Sequence, residues 1–125
     1  MRALIIDDSK TIRMILSKIL KGLGYSVTEA GNGREALDRL ESDGPPQLAL
    51  VDWNMPVMNG LEFVRAARAD SSNAGMCLMM VTTEVEQDQM VRALAAGANE
   101  YVTKPFTPEI IIEKLRFLGL AGDAQ

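Results

Sequence analysis

Along the chain, apolar positions switch between short continuous runs and sets spaced three and four residues apart, the mark of strands and helices in alternation. Ala3-Leu4-Ile5-Ile6 is a run of the length and character of a buried strand. Behind it Ile12, Ile15, Leu16, Ile19, Leu20 and Leu23 line one face of a helix, with Ser9 as N-cap and Gly22 or Gly24 as the stop. Tyr25 to Ala30 alternates as an edge strand does; Asn32 then opens a helix through Leu40 with Ala36, Leu37 and Leu40 inward, ended by Asp43-Gly44-Pro45-Pro46. Leu48 to Val51 is a second fully apolar strand, followed by a helix from about Gly60 to Arg68 with Leu61, Val64 and Ala67 on one side. Cys77 to Val81 is a third, and the helix after it, from about Val85 to Ala96, is expected to turn Met90, Val91 and Leu94 inward and to stop at Gly97. Glu100-Tyr101-Val102 reads as a short last strand. Thr107 caps the final helix with Pro108 at its first position, and Ile111, Ile112, Leu115 and Leu118 pack it down.

Five βα units with apolar strands predict a parallel sheet covered on both faces, since parallel strands need crossover helices. The expected fold class is α/β, a doubly wound (βα)5 sandwich; a TIM barrel would need eight strands and about twice the length. Composition agrees with one domain. The chain has 125 residues, 47% of them hydrophobic and 24% charged, enough for a core without disulfides or metal staples. Residues 120–125 are expected to form a flexible C-terminal tail.

Charge and rare residues narrow the chemistry. Thirteen Lys and Arg against seventeen Asp and Glu give a net charge of −4, so no basic field points to nucleic acid or to an anionic membrane. The apolar start is cut short by Asp7 and Asp8, which leaves no targeting segment, and the apolar runs are far below a membrane span. A cytoplasmic setting is expected. One cysteine and no histidine remove the usual soft-metal ligands and the usual general base. Cys77 reads as an inert small hydrophobe, Met79 and Met80 as core, and Trp53 as a surface aromatic whose fluorescence would report on its neighbour Asp52.

Sheets of this kind bind ligands at the carboxyl ends of their strands. The first apolar strand ends in Asp7-Asp8, the third in Asp52, the fourth in Thr82 and the fifth in Thr103-Lys104. Carboxylates gathered there repel one another unless a cation relieves them, and with this ligand set the cation is Mg²⁺. An ionised Asp is also a nucleophile toward phosphorus, so Asp52, Lys104 and Thr82 supply nucleophile, cation and hydroxyl donor. The proline after Lys104 fixes a turn that aims the lysine into the crevice, with the isomer of that bond left open.

These pieces match a known pattern. Asp7-Asp8-Ser9, Asp52-Trp53-Asn54-Met55-Pro56 with Gly60, Thr82, and Tyr101 followed by Lys104-Pro105-Phe106 stand in order at strand ends. Over residues 1 to about 119 the chain resembles the receiver domain of bacterial two-component response regulators, most of all the single-domain members that serve chemotaxis. The resemblance implies a flavodoxin-like sheet of order 2-1-3-4-5. It implies that Asp52 is phosphorylated by a histidine kinase, with Mg²⁺ held by Asp8, Asp52 and the backbone carbonyl of Asn54 and by Asp7 through water. Lys104 would contact the phosphoryl group, Thr82 would swing toward it, and Tyr101 would rotate inward. A downstream protein would dock on the fourth helix, fifth strand and fifth helix. Such a protein is a signalling switch, not a turnover enzyme; a phosphorelay intermediate or the regulator of an enzyme in trans is the alternative role.

Two departures bear on partners. Thr83 is larger than the residue this family usually has there, and Glu84-Val85-Glu86-Gln87-Asp88 is acidic where enterobacterial relatives carry lysines. A Mg²⁺-dependent phosphohydrolase of the haloacid dehalogenase type is the competing class. It needs a second Asp two residues after the nucleophile, where this chain has Asn54 after Asp52 and Ser9 after Asp7.

Overall fold

The computed structural model describes residues 1–121. Its strands are β1 (Arg2–Ile6), β2 (Ser26–Ala30), β3 (Leu48–Val51), β4 (Cys77–Thr82) and β5 (Glu100–Thr103). The helices are α1 (Lys10–Gly22), α2 (Gly33–Asp43), α3 (Gly60–Ala69), α4 (Gln87–Ala96) and α5 (Pro108–Phe117), with one 3₁₀ turn at Ser71–Asn73. All four strand pairings are parallel and the sheet order is β2-β1-β3-β4-β5. The expected class and strand order are therefore borne out.

Period-2 alternation divides the strands between two cores. Leu4, Ile6, Ala49, Val51, Leu78 and Met80 face α2, α3 and α4, meeting Ala36, Leu40, Leu61, Phe63, Val64, Ala67 and Ala93. Ala3, Ile5, Leu48, Leu50, Met79 and Val81 face α1 and α5, meeting Leu16, Leu20, Ile111 and Leu115. Because β1 and β3 are central neighbours, in register from Ala3↔Leu48 to Ile6↔Val51, the residues that follow them emerge side by side.

Helix starts follow the polar side chains. Ser9, Asn32 and Thr107 accept from Ile12, Glu35 and Ile110 main-chain N–H groups, and Asn59 with Glu62 closes a capping box at α3. Several expectations need correcting. Helix α2 runs to Asp43 rather than to Leu40, and α4 begins at Gln87 rather than Val85. Val91 and Leu94 are 56% and 46% exposed: α4 lies on the sheet through small Ala93, with Met90 half-buried, which turns the larger residues outward. Ile15 is exposed at the margin of α1, and Phe63, not singled out, is fully buried. Trp53 is not a surface aromatic but a buried one. Leu120 and Ala121 pack against the α1/α5 core and the Tyr25 hydroxyl donates to the Leu120 carbonyl; the rest of the expected tail lies outside the described residues. The methionines at 79 and 80 are core, as expected.

Candidate functional site

The carboxyl edge of the sheet holds a pocket of charge at the ends of β1, β3 and β5. Asp7 follows β1 and is buried; its amide donates to Ala30 O at 3.1 Å and its Oδ1 accepts from the Ser9 amide at 2.8 Å. Asp52 follows β3, its amide donating across to Ile6 O at 2.9 Å and its Oδ1 accepting from the Trp53 amide at 2.8 Å. Asp8 stands beside them, exposed at the rim. One carboxylate oxygen from each of Asp7, Asp8 and Asp52 lies within 4.8 Å of the other two.

Lys104 comes from the far side, on the loop after β5. Its Nζ is 2.7 Å from Asp7 Oδ2 and 3.5 Å from Asp52 Oδ2. The Lys104–Pro105 bond, left open by the sequence, is cis, and the Lys104 amide donates to Thr82 O at 2.8 Å. Burial raises the Asp52 pKa above its ordinary value and Asp7 raises it further; Lys104, the Thr82 hydroxyl and the Trp53 amide pull back only in part. A carboxylate held this way is under-neutralised.

Thr82 is fully buried at the end of β4, its Oγ1 accepting from the Glu84 amide at 3.3 Å. Tyr101 is buried on β5, and its hydroxyl donates to Glu84 O at 2.7 Å. Its pKa is pushed up to about 12, by burial first and then by the nearby Glu84 and Asp52 charges. The ring thus already points inward here, where an inward rotation was expected. Asn54 is exposed, and its amide donates to the Glu84 carboxylate. Glu84 therefore ties the loop after Asp52 to Tyr101. Thr83 is exposed.

Gly60 explains how Asp52 is placed. A Cβ there would lie 2.1 Å from the Asp52 carbonyl oxygen, and the Gly60 amide donates to Trp53 O at 2.8 Å. Only a residue without a side chain lets α3 begin this close to the strand end. Three clustered carboxylates, one of them under-neutralised, form a hard, all-oxygen donor set with no thiolate or imidazole near it, which fits Mg²⁺ rather than a softer metal. The structure brings Asp7, Asp8, Asp52, Thr82 and Lys104 together as expected and sets Asn54 and Tyr101 at the margin, joined through Glu84.

Residues 3–116 match the family model described as response regulator receiver domain. Helicobacter pylori chemotaxis protein CheY1 is 43% identical over 116 residues, covering 92% of this chain and 94% of that one. The Campylobacter jejuni chemotaxis protein CheY homolog is 45% identical, covering 92% and 89%. Among solved structures, the chemotaxis response regulator CheY4 of Vibrio cholerae superposes with a TM-score of 0.87 at 37% identity, covering 94% and 97%.

Proposed function

The chain belongs to the response regulator receiver family, and from that premise we propose that Asp52 is its phosphoacceptor and that residues 1–119 form the receiver unit. A histidine kinase is the phosphodonor. An Asp52 carboxylate oxygen bonds to phosphorus as the phosphorus–nitrogen bond of a phosphohistidine breaks, leaving an acyl phosphate on Asp52 and a histidine that takes up a proton. Asp7, Asp8, Asp52 and the backbone carbonyl of Asn54 would hold Mg²⁺, which when bound neutralises phosphoryl oxygens. The chain's own residues do the rest. Lys104, held between Asp7 and Asp52, is placed to pair with a phosphoryl oxygen, and the Thr82 hydroxyl to donate to another. The observation that carries this reading is that under-neutralised Asp52 sits among two further carboxylates and a lysine.

A phosphoryl group adds about −1.5 to −2 charges to that pocket and biases a two-state surface. The Thr82–Glu84–Tyr101 chain of contacts leads from the pocket toward α4, β5 and α5 and is the proposed relay. There Val91, Leu94, Ile110 and Phe117 are exposed, Phe117 to 84%, as are the acidic Glu86 and Asp88. A downstream protein docks on this face, and the relatives' names favour a chemotaxis role, in the cytoplasm. No helix among the described residues is long and apolar enough to cross a membrane. Asn54, an exposed amide where a phosphohydrolase needs a carboxylic acid, favours a switch over a turnover enzyme.

The test is intact-mass analysis after incubation with acetyl phosphate and Mg²⁺. One phosphoryl group on the wild-type chain and none on Asp52→Asn is the expected result. Equal labelling of the two would remove Asp52 from the mechanism.

A further inference from the structure

Arg13 lies on the first turns of α1, in no motif and with no apparent role, yet its guanidinium is built into the acidic pocket's foundation. Nη1 donates to the main-chain oxygen of Asp7 at 2.6 Å, and Nε donates to Glu29 Oε1 on β2 at 3.0 Å. The side chain is 19% exposed. The Asp7 amide meanwhile donates to Ala30 O at 3.1 Å, so the residue is gripped at both ends of its backbone. Its carboxylate is then aimed by the Ser9 amide, and Ser9 O in turn accepts from the Arg13 amide at 3.0 Å. Arg13, Ser9 and Asp7 thus form one closed loop of hydrogen bonds, anchored through Glu29 to the neighbouring strand.

We propose that Arg13 is a positioning residue for the cation site, holding Asp7 so that its carboxylate meets those of Asp8 and Asp52. This rests on the Mg²⁺ reading above. The planar fork suits the task, because it reaches Asp7 and Glu29 from separate nitrogens at fixed angles, which a lysine ammonium does not. The sign of the effect separates positioning from plain electrostatics. A positive charge at the end of β1 opposes a second cation, so if charge were its whole contribution, removing Arg13 would tighten Mg²⁺ binding. If Arg13 positions Asp7, removing it weakens binding, as loss of an outer-shell partner does, by about tenfold.

The experiment is Mg²⁺ titration of the full chain followed by Trp53 fluorescence, on wild type, Arg13→Gln, Arg13→Lys and Glu29→Gln, with circular dichroism to establish folding. Arg13→Gln should raise the Kd for Mg²⁺ about tenfold, Arg13→Lys should recover only part of that, and Glu29→Gln should weaken binding in the same direction but less. In acetyl phosphate labelling the loss should fall on the Mg²⁺ concentration giving half-maximal labelling more than on the level reached at saturation. An unchanged or lower Kd in Arg13→Gln overturns the proposal while leaving the cation site standing. Absence of any saturable Mg²⁺ response in the wild-type chain overturns both. Should Arg13→Gln fail to fold, Arg13→Lys decides alone, because it keeps the charge and loses only the planar fork, and an unchanged Kd there overturns the proposal.

Discussion

A carboxylate buried beside a second carboxylate resists ionisation, and Asp52 is in that position: desolvation first, and Asp7 next, raise its pKa. A group whose folded pKa is raised favours the native state in its protonated form, so ionising it as pH rises through the folded pKa removes stability. At pH 7 without divalent cation, Asp52→Asn should therefore be more stable than wild type, with a higher Tm. The difference should shrink as pH falls through the raised pKa and vanish below the ordinary carboxylate pKa, where Asp52 is neutral in both the folded and unfolded chain. Adding Mg²⁺ should reverse the order, since wild type gains RT ln(1 + [Mg²⁺]/Kd) and the amide gains less. Thermal melts at three pH values with and without Mg²⁺ check all three arms; a wild type more stable than Asp52→Asn in EDTA at pH 7 would contradict the argument. Lys104 answers to the same electrostatics. Its ammonium competes with a metal ion for Asp7 and Asp52, so Lys104→Met should bind Mg²⁺ more tightly, opposite in sign to Arg13→Gln, in the same fluorescence titration.

At the scale of the element, the connection from β3 to α3 carries the tightest constraints. Its three-residue turn is closed by the Met58 amide donating to Pro56 O at 2.7 Å, with Val57 at φ 68°. A β-branched residue is strained there, and Val57, 82% exposed, gains no packing in return. Val57→Asn should raise stability by about 1 kcal/mol in urea denaturation with an unchanged m-value. Gly60→Ala should do the reverse: its methyl meets the Asp52 carbonyl, main chain that cannot move without shifting the phosphoacceptor, at a cost of about 1–3 kcal/mol. The same elements mark what the sequence made legible. Strands β1 and β3 were readable because a strand buried on both faces is one unbroken apolar run, and Asp7, Asp8, Asp52 and Lys104 because each directly follows such a run or a short strand. Helix α4 was misread because apolar residues surround it. Its burial is decided by close approach at Ala93, a distance that no periodicity encodes. Trp53 was misplaced because a lone aromatic in a loop carries no pattern. Arg13 had no sequence signal, since its value depends on a carbonyl and a carboxylate brought to it by folding.

Across the whole molecule, chemistry and consolidation sit at opposite ends of the sheet. The reactive groups occupy the carboxyl ends of the strands, while Arg68, near the end of α3, works where β4 and β5 begin. Its Nε donates to Gly97 O at 3.0 Å, Nη1 to Asn73 O at 2.6 Å, and Nη2 to Met76 O at 2.7 Å and to Asn99 Oδ1 at 2.9 Å. Asn99 Oδ1 also accepts the Leu78 amide at 2.8 Å, so one guanidinium gathers the end of α3, the entrance to β4, and the turn between α4 and β5. Burial lowers the Arg68 pKa, yet an arginine stays charged throughout the working range, and the four acceptors compensate its desolvation. Arg68→Met should leave those acceptors without their donor and lower stability by about 3 kcal/mol. Because the clamp is remote from Asp52 and shares no partner with it, the Mg²⁺ affinity of Arg68→Met should equal that of wild type at temperatures where both are folded. The double variant Arg68→Met/Asp52→Asn should show additive stability changes, within about 0.5 kcal/mol. Additivity would mean that the end of the molecule holding the strands together can be weakened without disturbing the end that receives phosphate. A coupling beyond that margin would mean that strain at the clamp is transmitted along β4 and β5 to Thr82 and Lys104.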